Sequence, residues 1–147
     1  MLQAFVAFAL ASQAILFVYF AARRWRPRSA ERYGWLAYAF GATGLAVGAA
    51  IALGGGSWRL YAGPLLFTAW AAFGAWADLL ARTEWRRPVR WSVFGPYVLL
   101  YLAAQMFLWW PMWEEWRMGW AVYLVLFVGS TALNLAGHAR GATATAG

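Results

Sequence analysis

The sequence predicts an all-α, polytopic integral membrane protein built as a bundle of five transmembrane helices. Of its 147 residues, 64% are hydrophobic and only 12% are charged, whereas a soluble domain carries about 25% charged residues. Five apolar runs of about 20 residues each can cross the roughly 30 Å of bilayer hydrocarbon as helices. The chain also contains 12 tryptophans, and tryptophan is enriched at membrane–water interfaces.

The five predicted spans cover residues 2–22, 34–53, 61–81, 91–110 and 119–138. A chain in lipid must satisfy its backbone hydrogen bonds internally, and this selects helices. The first run has its arginines after the apolar residues, not before them as in a signal peptide. We therefore expect residues 1–138 to form a single transmembrane domain and the segment "ARGATATAG", 139–147, to form a disordered cytoplasmic tail.

The distribution of arginine predicts the orientation in the membrane. All 12 basic residues are arginines, and ten of them follow the first, third or fifth apolar run. Only Arg59 and Arg117 fall on the opposite side. Because cytoplasmic loops carry the excess of basic residues, we expect the N-terminus outside and the C-terminus in the cytoplasm. The protein is accordingly expected to be a multi-pass protein of the cell's inner (plasma) membrane.

The charged stretch "DLLARTEWRRPVRW", residues 78–91, has two interpretations. It is either a loop that anchors the protein among anionic lipid head groups on the cytoplasmic side, or a loop that binds a ligand. The opposite loop "WWPMWEEWRMGW", residues 109–120, is either an aromatic belt or a docking surface, and Pro111 is expected to end the fourth helix. The predicted interface anchors are Trp85, Arg86, Arg87, Arg90 and Trp91.

Residue types that the chain lacks exclude several classes of chemistry. There is no lysine for a Schiff base or a P-loop, and there is no cysteine for a thiolate nucleophile or an iron–sulfur cluster. The single histidine, His138, cannot supply two haem ligands or a three-histidine metal site. We expect no metal site and no cofactor. No nucleic acid is expected as a partner, because the arginines form no continuous basic face.

Polar side chains inside the apolar spans are the candidate functional residues, because such groups face the bundle interior or a wet cavity. On the fifth span they share one helix face, and on the fourth they recur every four residues. We predict that they line a polar interior that opens toward the cytoplasm. The predicted ligand-binding residues are Asp78, Tyr97, Tyr101, Gln105, Ser130, Thr131, Asn134 and His138.

The Asp78 carboxyl group has three possible roles. It is either paired with Arg82 four residues on, hydrogen-bonded to His138, or a titrating group. A hydrolytic site would also need a nucleophile, but Ser130 lies about two helical turns from His138. We therefore predict no catalytic residues, and an enzyme is not the favoured interpretation.

The second span carries a stripe of small residues that includes Gly41, Gly44 and Gly48. Such stripes let two helix backbones approach closely in lipid. The stripe predicts either a tight hairpin with the third span or a contact with a second copy or a partner subunit. Three functions stay open: a bundle that binds a small hydrophobic or amphipathic molecule (a carrier, sensor or transporter), an accessory subunit of a larger membrane complex, and an oligomeric channel or proton-coupled exporter that uses Asp78.

The segment "YLVLFVGSTALNLAGH", residues 123–138, resembles the last helix of the tryptophan-rich sensory protein family in its Tyr-Leu start and its Ala-Leu-Asn. The number of spans, the length and the tryptophan content are similar as well. The family's proline-rich tryptophan loop is replaced here by "RRWRPRSAERYGW", residues 23–35, and its helix-two pattern is replaced by the glycine stripe. No porphyrin or cholesterol site is therefore carried over to this chain.

Overall fold

The computed structural model describes residues 1–81 and 89–143, with side chains described as far as Ala136. Over these residues the chain forms seven α-helices and one π-helical turn, Trp76–Leu80. The α-helices are α1 (Leu2–Trp25), α2 (Pro27–Tyr33), α3 (Trp35–Gly41), α4 (Thr43–Leu53), α5 (Trp58–Ala75), α6 (Trp91–Glu115) and α7 (Arg117–Thr143).

Five helical segments are long and apolar enough to cross a membrane, so the predicted number of apolar helical spans is confirmed. They are Leu2–Trp25, Trp35–Leu53, Trp58–Leu80, Trp91–Glu115 and Arg117–Ala136. The described part of α7 continues to Thr143, and residues 144–147 lie outside the described residues. The disordered tail expected at 139–147 therefore stays a prediction.

The second span is divided at Ala42 into α3 and α4. At this division the hydroxyl of Thr68, from α5, donates a hydrogen bond to the carbonyl oxygen of Gly41 at 2.8 Å. The hydroxyl of Thr43 donates to the carbonyl oxygen of Phe40 at 2.7 Å. Side chains therefore satisfy backbone carbonyls at the irregular point, as the absence of water in a bilayer core requires.

The fourth span is longer than expected, because α6 continues through Pro111 to Glu115. The prediction that Pro111 ends this helix is wrong. Pro111 and Met112 are both buried, so the intact helix places them inside the bundle. Neighbouring helices let transmembrane helices tolerate proline. One such neighbour lies close here, since a Cβ atom on Gly63 of α5 would come within 2.8 Å of the Phe107 carbonyl oxygen.

The connection after the first span contains a short helix, where the sequence predicted a loop. This helix, α2, begins with Pro27, whose fixed φ and missing N–H suit the first helical position. It packs back against α1 and buries Ala30. The arginine-rich connection is therefore held against the bundle, and it shapes a surface next to α1.

The spans pack in a closed ring in which each contacts the next along the chain. The α3–α4 pair packs on α5, α5 packs on α6, α6 contacts α7, and α7 packs on α1. Contacts of α1 with α3 and α4 close the ring. We call one end of the bundle the Arg-rich end, because it carries Arg23, Arg24, Arg26, Arg28, Arg32 and Arg90, and the other end the Trp-rich end, because it carries Trp58, Trp110, Trp113, Trp116 and Trp120.

The glycine stripe of the second span is buried against α5 within this chain. A Cβ atom on Gly41 would lie 2.1 Å from the Cβ atom of Ala71, and one on Gly44 would lie 2.5 Å from the Pro64 carbonyl oxygen. A Cβ atom on Gly48 would lie 2.8 Å from Cδ2 of Leu65. The stripe thus packs the predicted tight hairpin, while its use in a contact with a second molecule stays a prediction.

We expect Gly41→Ala to lower the free energy of unfolding by about 1–3 kcal/mol, because the added methyl group overlaps Ala71 in a packed interface. Unfolding by denaturant in detergent micelles, followed by tryptophan fluorescence, measures the effect. The matched control is Gly95→Ala in α6, where an added Cβ atom meets nothing within 4 Å. Equal stability of the two variants would contradict the close packing of α3 on α5.

Candidate functional site

A cavity of about 380 Å³ lies between α1, α3, α5, α6 and α7 toward the Arg-rich end. This volume is within the range of small-molecule sites in proteins, about 300–1,000 Å³. Seven of its fifteen lining residues are aromatic, and the others are aliphatic residues, one glycine, one asparagine and one arginine. The lining includes Tyr19, Arg23, Tyr38, Trp70, Tyr97, Tyr101 and Asn134.

Trp70 forms the centre of the aromatic wall. It is buried, and its ring centroid lies 6.2 Å from that of Tyr38 and 5.6 Å from those of both Tyr97 and Tyr101. Phe67 supports it from the core at 5.1 Å. All four distances are typical of favourable tilted aromatic pairs. The wall is therefore built from rings that hold one another in place.

Asp78 is joined to this wall through Tyr38. The Tyr38 hydroxyl donates a hydrogen bond to Asp78 Oδ2 at 2.6 Å. Asp78 lies in the π-helical turn, where the Ala81 N–H donates to the Trp76 carbonyl oxygen at 2.8 Å. Such turns are often found at functional sites. Asp78 is not among the residues that line the cavity, and its hydrogen bond with Tyr38 links it to the cavity wall.

Gly74 makes room for this arrangement. A Cβ atom at Gly74 would lie 2.6 Å from Cε1 of Tyr38 and 3.1 Å from Cε2 of Tyr97. Both rings therefore lie across the α5 backbone at a position where any side chain would displace them. Tyr38, Trp70 and Gly74 are site residues that the sequence did not predict, because their role depends on which helix faces meet.

Three of the predicted ligand-binding residues line the cavity: Tyr97, Tyr101 and Asn134. Thr131 lies beside Tyr101 and interacts with its hydroxyl. Ser130 is buried, but its hydroxyl donates to the carbonyl oxygen of Phe127 in its own helix at 2.9 Å, and it does not line the cavity.

Some of the other predicted residues lie outside the part of the chain that the structure describes. The side chain of His138, like Trp85, Arg86 and Arg87, lies outside the described residues. Among the predicted interface anchors, Arg90 is exposed at the start of α6. Trp91 is 73% exposed, as expected of a side chain that faces lipid or head groups.

Gln105 belongs to a separate buried cluster, which we call the Gln–Gln–Tyr triad: Gln13 of α1, Gln105 of α6 and Tyr123 of α7. These side chains are 0%, 5% and 1% exposed. Gln13 Nε2 donates to Gln105 Oε1 and, at 3.0 Å, to the Tyr123 hydroxyl. The Tyr123 hydroxyl donates to Gln105 Oε1 at 2.6 Å. Three spans are thereby tied together by hydrogen bonds that lipid cannot replace.

The interior beyond the triad, toward the Trp-rich end, is filled by apolar side chains. Phe5 of α1 and Leu108 and Met112 of α6 are all fully buried there. The aromatic cavity and the triad therefore lie on one side of an apolar plug. Among the described residues, these side chains stand between the cavity and the Trp-rich end of the bundle.

The surface of the Trp-rich end carries its own polar cluster. Arg59 forms an ion pair with Glu114 at 3.1 Å, and its guanidinium group lies 5.0 Å from the centroid of the Trp110 ring. The indole N–H of Trp110 donates to Glu114 Oε1 at 2.8 Å. These contacts fix Trp110 beside Arg59 and Glu114, and both interpretations of residues 109–120 stay predictions.

Comparison of the chain with protein-family models, with curated proteins and with solved structures finds no match. The likeness of residues 123–138 to the tryptophan-rich sensory protein family therefore stays a local resemblance. Within the described residues, no group of three or more acidic or histidine side chains is placed to hold a metal ion.

We expect Tyr123→Phe to lower the free energy of unfolding by about 1–2 kcal/mol, because it removes two buried interhelical hydrogen bonds. Tyr61→Phe is the matched control, since Tyr61 is half-buried in α5 and outside the triad. Denaturant unfolding in detergent measures both variants. If the two lose the same stability, the triad does not hold α1, α6 and α7 together.

Proposed function

We propose that this multi-pass membrane protein binds a small hydrophobic or amphipathic molecule in the aromatic cavity, as a carrier, sensor or transporter. The observation that supports the proposal is a cavity of about 380 Å³ whose mostly apolar walls are rich in aromatic rings and carry a few polar groups. Small-molecule sites in proteins commonly have this composition and size.

The polar groups of the cavity define how such a molecule would be held. Its apolar part would pack on Trp70, Tyr97 and Tyr101, which are held in contact with one another. Its polar part would reach the amide of Asn134, which both donates and accepts hydrogen bonds. The Tyr38 hydroxyl already donates to Asp78, so toward a ligand it presents an acceptor.

The expected orientation gives the cavity a direction. With the N-terminus outside, as the arginine distribution predicts, the Arg-rich end faces the cytoplasm. The cavity would then be reached from the cytoplasmic side or from the inner leaflet. Arg23, at the exposed end of the lining, would meet an anionic or polar group of the molecule first.

The apolar plug favours a binding site over a channel that runs through a single bundle. A channel or exporter of ions needs groups that replace water along its whole path. Beyond the triad, Phe5, Leu108 and Met112 offer none. A cavity with one closed end instead suits a molecule that enters and leaves on the same side, or one whose occupancy is sensed.

We expect native mass spectrometry of the protein, released from the mildest detergent that keeps it soluble, to show an added mass of a few hundred daltons, about the size of ligand that such cavities enclose. Asn134→Leu and Tyr101→Phe should reduce the fraction of molecules that carry this mass, because each removes a polar contact from the cavity.

Gln3→Leu provides the control, since Gln3 is exposed near the start of α1 and far from the cavity. It should retain the added mass at the wild-type level. A wild-type protein that carries no added mass, or cavity variants that retain it as well as Gln3→Leu does, would contradict the proposed function.

A further inference from the structure

A second, apolar site lies on the outer surface of the bundle. It is a groove of about 440 Å³ between α1, α2 and α3, to which Ala14, Val18 and Ala22 contribute from α1 and Ala30 and Tyr33 from α2. Val18 is 65% exposed and Tyr33 is 52% exposed, so the groove faces outward. It shares only Tyr19 and Ala37 with the aromatic cavity.

Two guanidinium groups are placed over tyrosine rings of this groove. Arg23 lies 5.8 Å from the centroid of the Tyr19 ring, and Arg32 lies 5.5 Å from the centroid of the Tyr33 ring. Both tyrosines line the groove. The backbone next to Tyr33 lies against the Tyr19 ring, because a Cβ atom on Gly34 would lie 3.1 Å from Cε2 of Tyr19.

The charge around the groove is strongly positive. Residues 23–33 contain five arginines and one acidic residue, Glu31, and Glu31 is exposed and does not line the groove. Arginine recognises phosphate with two parallel hydrogen bonds and stacks on aromatic rings, and both properties suit a site of this kind. An apolar groove with a cationic rim matches a molecule with an apolar chain and an anionic head.

We propose that the groove binds one acyl chain of an anionic membrane phospholipid, with the phosphate of that lipid held between Arg23 and Arg32. The head group would then lie at the Arg-rich end, where α1 ends and α2 begins, and the chain would extend along α1 toward Ala14. Such binding differs from general attraction to an anionic surface, because it selects both a chain and a phosphate at one position. It does not depend on a ligand in the aromatic cavity.

The test uses the purified full chain in detergent, titrated with phosphatidylglycerol and with phosphatidylcholine of the same acyl chains, and native mass spectrometry counts the bound lipid. Wild-type protein should retain one phosphatidylglycerol molecule in preference to phosphatidylcholine. The double variant Arg23→Gln/Arg32→Gln should weaken phosphatidylglycerol binding on the order of 30-fold, from about fivefold for each guanidinium group. The double variant Arg59→Gln/Arg117→Gln, which loses the same charge at the Trp-rich end, should bind it like the wild type.

A third variant tests the groove separately from the charge. Ala14→Trp fills the groove at an exposed position of α1, so it leaves the buried core intact and should abolish retention of the lipid. Thermal unfolding checks that each variant is folded. Four results would each overturn the proposal. Two concern the lipids: equal retention of both lipids by the wild type, or competition by glycerol phosphate as strong as that by phosphatidylglycerol. Two concern the variants: full retention by Ala14→Trp, or a loss of phosphatidylglycerol binding in Arg59→Gln/Arg117→Gln equal to that in Arg23→Gln/Arg32→Gln. A cavity ligand that persists in Ala14→Trp leaves the proposed function standing whatever the lipid result.

Discussion

The close approach of α5 to its neighbours is the constraint on which the rest of the bundle depends. Helices in lipid gain little from burying apolar surface against one another, so their association relies on close contact and on interhelical hydrogen bonds. Here glycines supply the contact. Gly41 packs on Ala71, Gly63 packs on the Phe107 carbonyl, and Gly74 packs on the Tyr38 ring. These contacts place Trp70 among three tyrosine rings and so determine the form of the cavity.

The buried polar groups divide into two sets with different consequences. The Gln–Gln–Tyr triad joins α1, α6 and α7 by hydrogen bonds between buried side chains, while Gln13 Oε1 and Gln105 Nε2 make no hydrogen bond within the described residues. The cavity instead presents polar groups, such as the Asn134 amide, to a space large enough for a small molecule. The first set therefore gives rigidity, while the second set is able to recognise a ligand.

Tyr19 connects the two proposed binding surfaces. Its ring contributes to the wall of the aromatic cavity and to the wall of the outer groove, and its face carries the guanidinium group of Arg23. A lipid in the groove and a molecule in the cavity would thus contact opposite parts of one wall. Because the cavity is closed toward the Trp-rich end, the proposed functions of both surfaces concern the same end of the bundle.

The sequence by itself determined the helical class and the number of apolar spans, because length and hydropathy are local properties and a lipid-embedded backbone must bond internally. It also indicated that Tyr97, Tyr101 and Asn134 face the interior of the bundle, since polar groups in an apolar span turn inward. Only the tertiary structure decided that Gln105 pairs with Gln13, that Tyr38 reaches Asp78, and that residues 27–33 fold into α2 against α1. These features depend on which helix faces meet. That pairing is determined by contacts among side chains that are far apart in the sequence. The glycine stripe was compatible with a contact to the third span or to a second molecule. Within this chain, α5 of the third span packs against it.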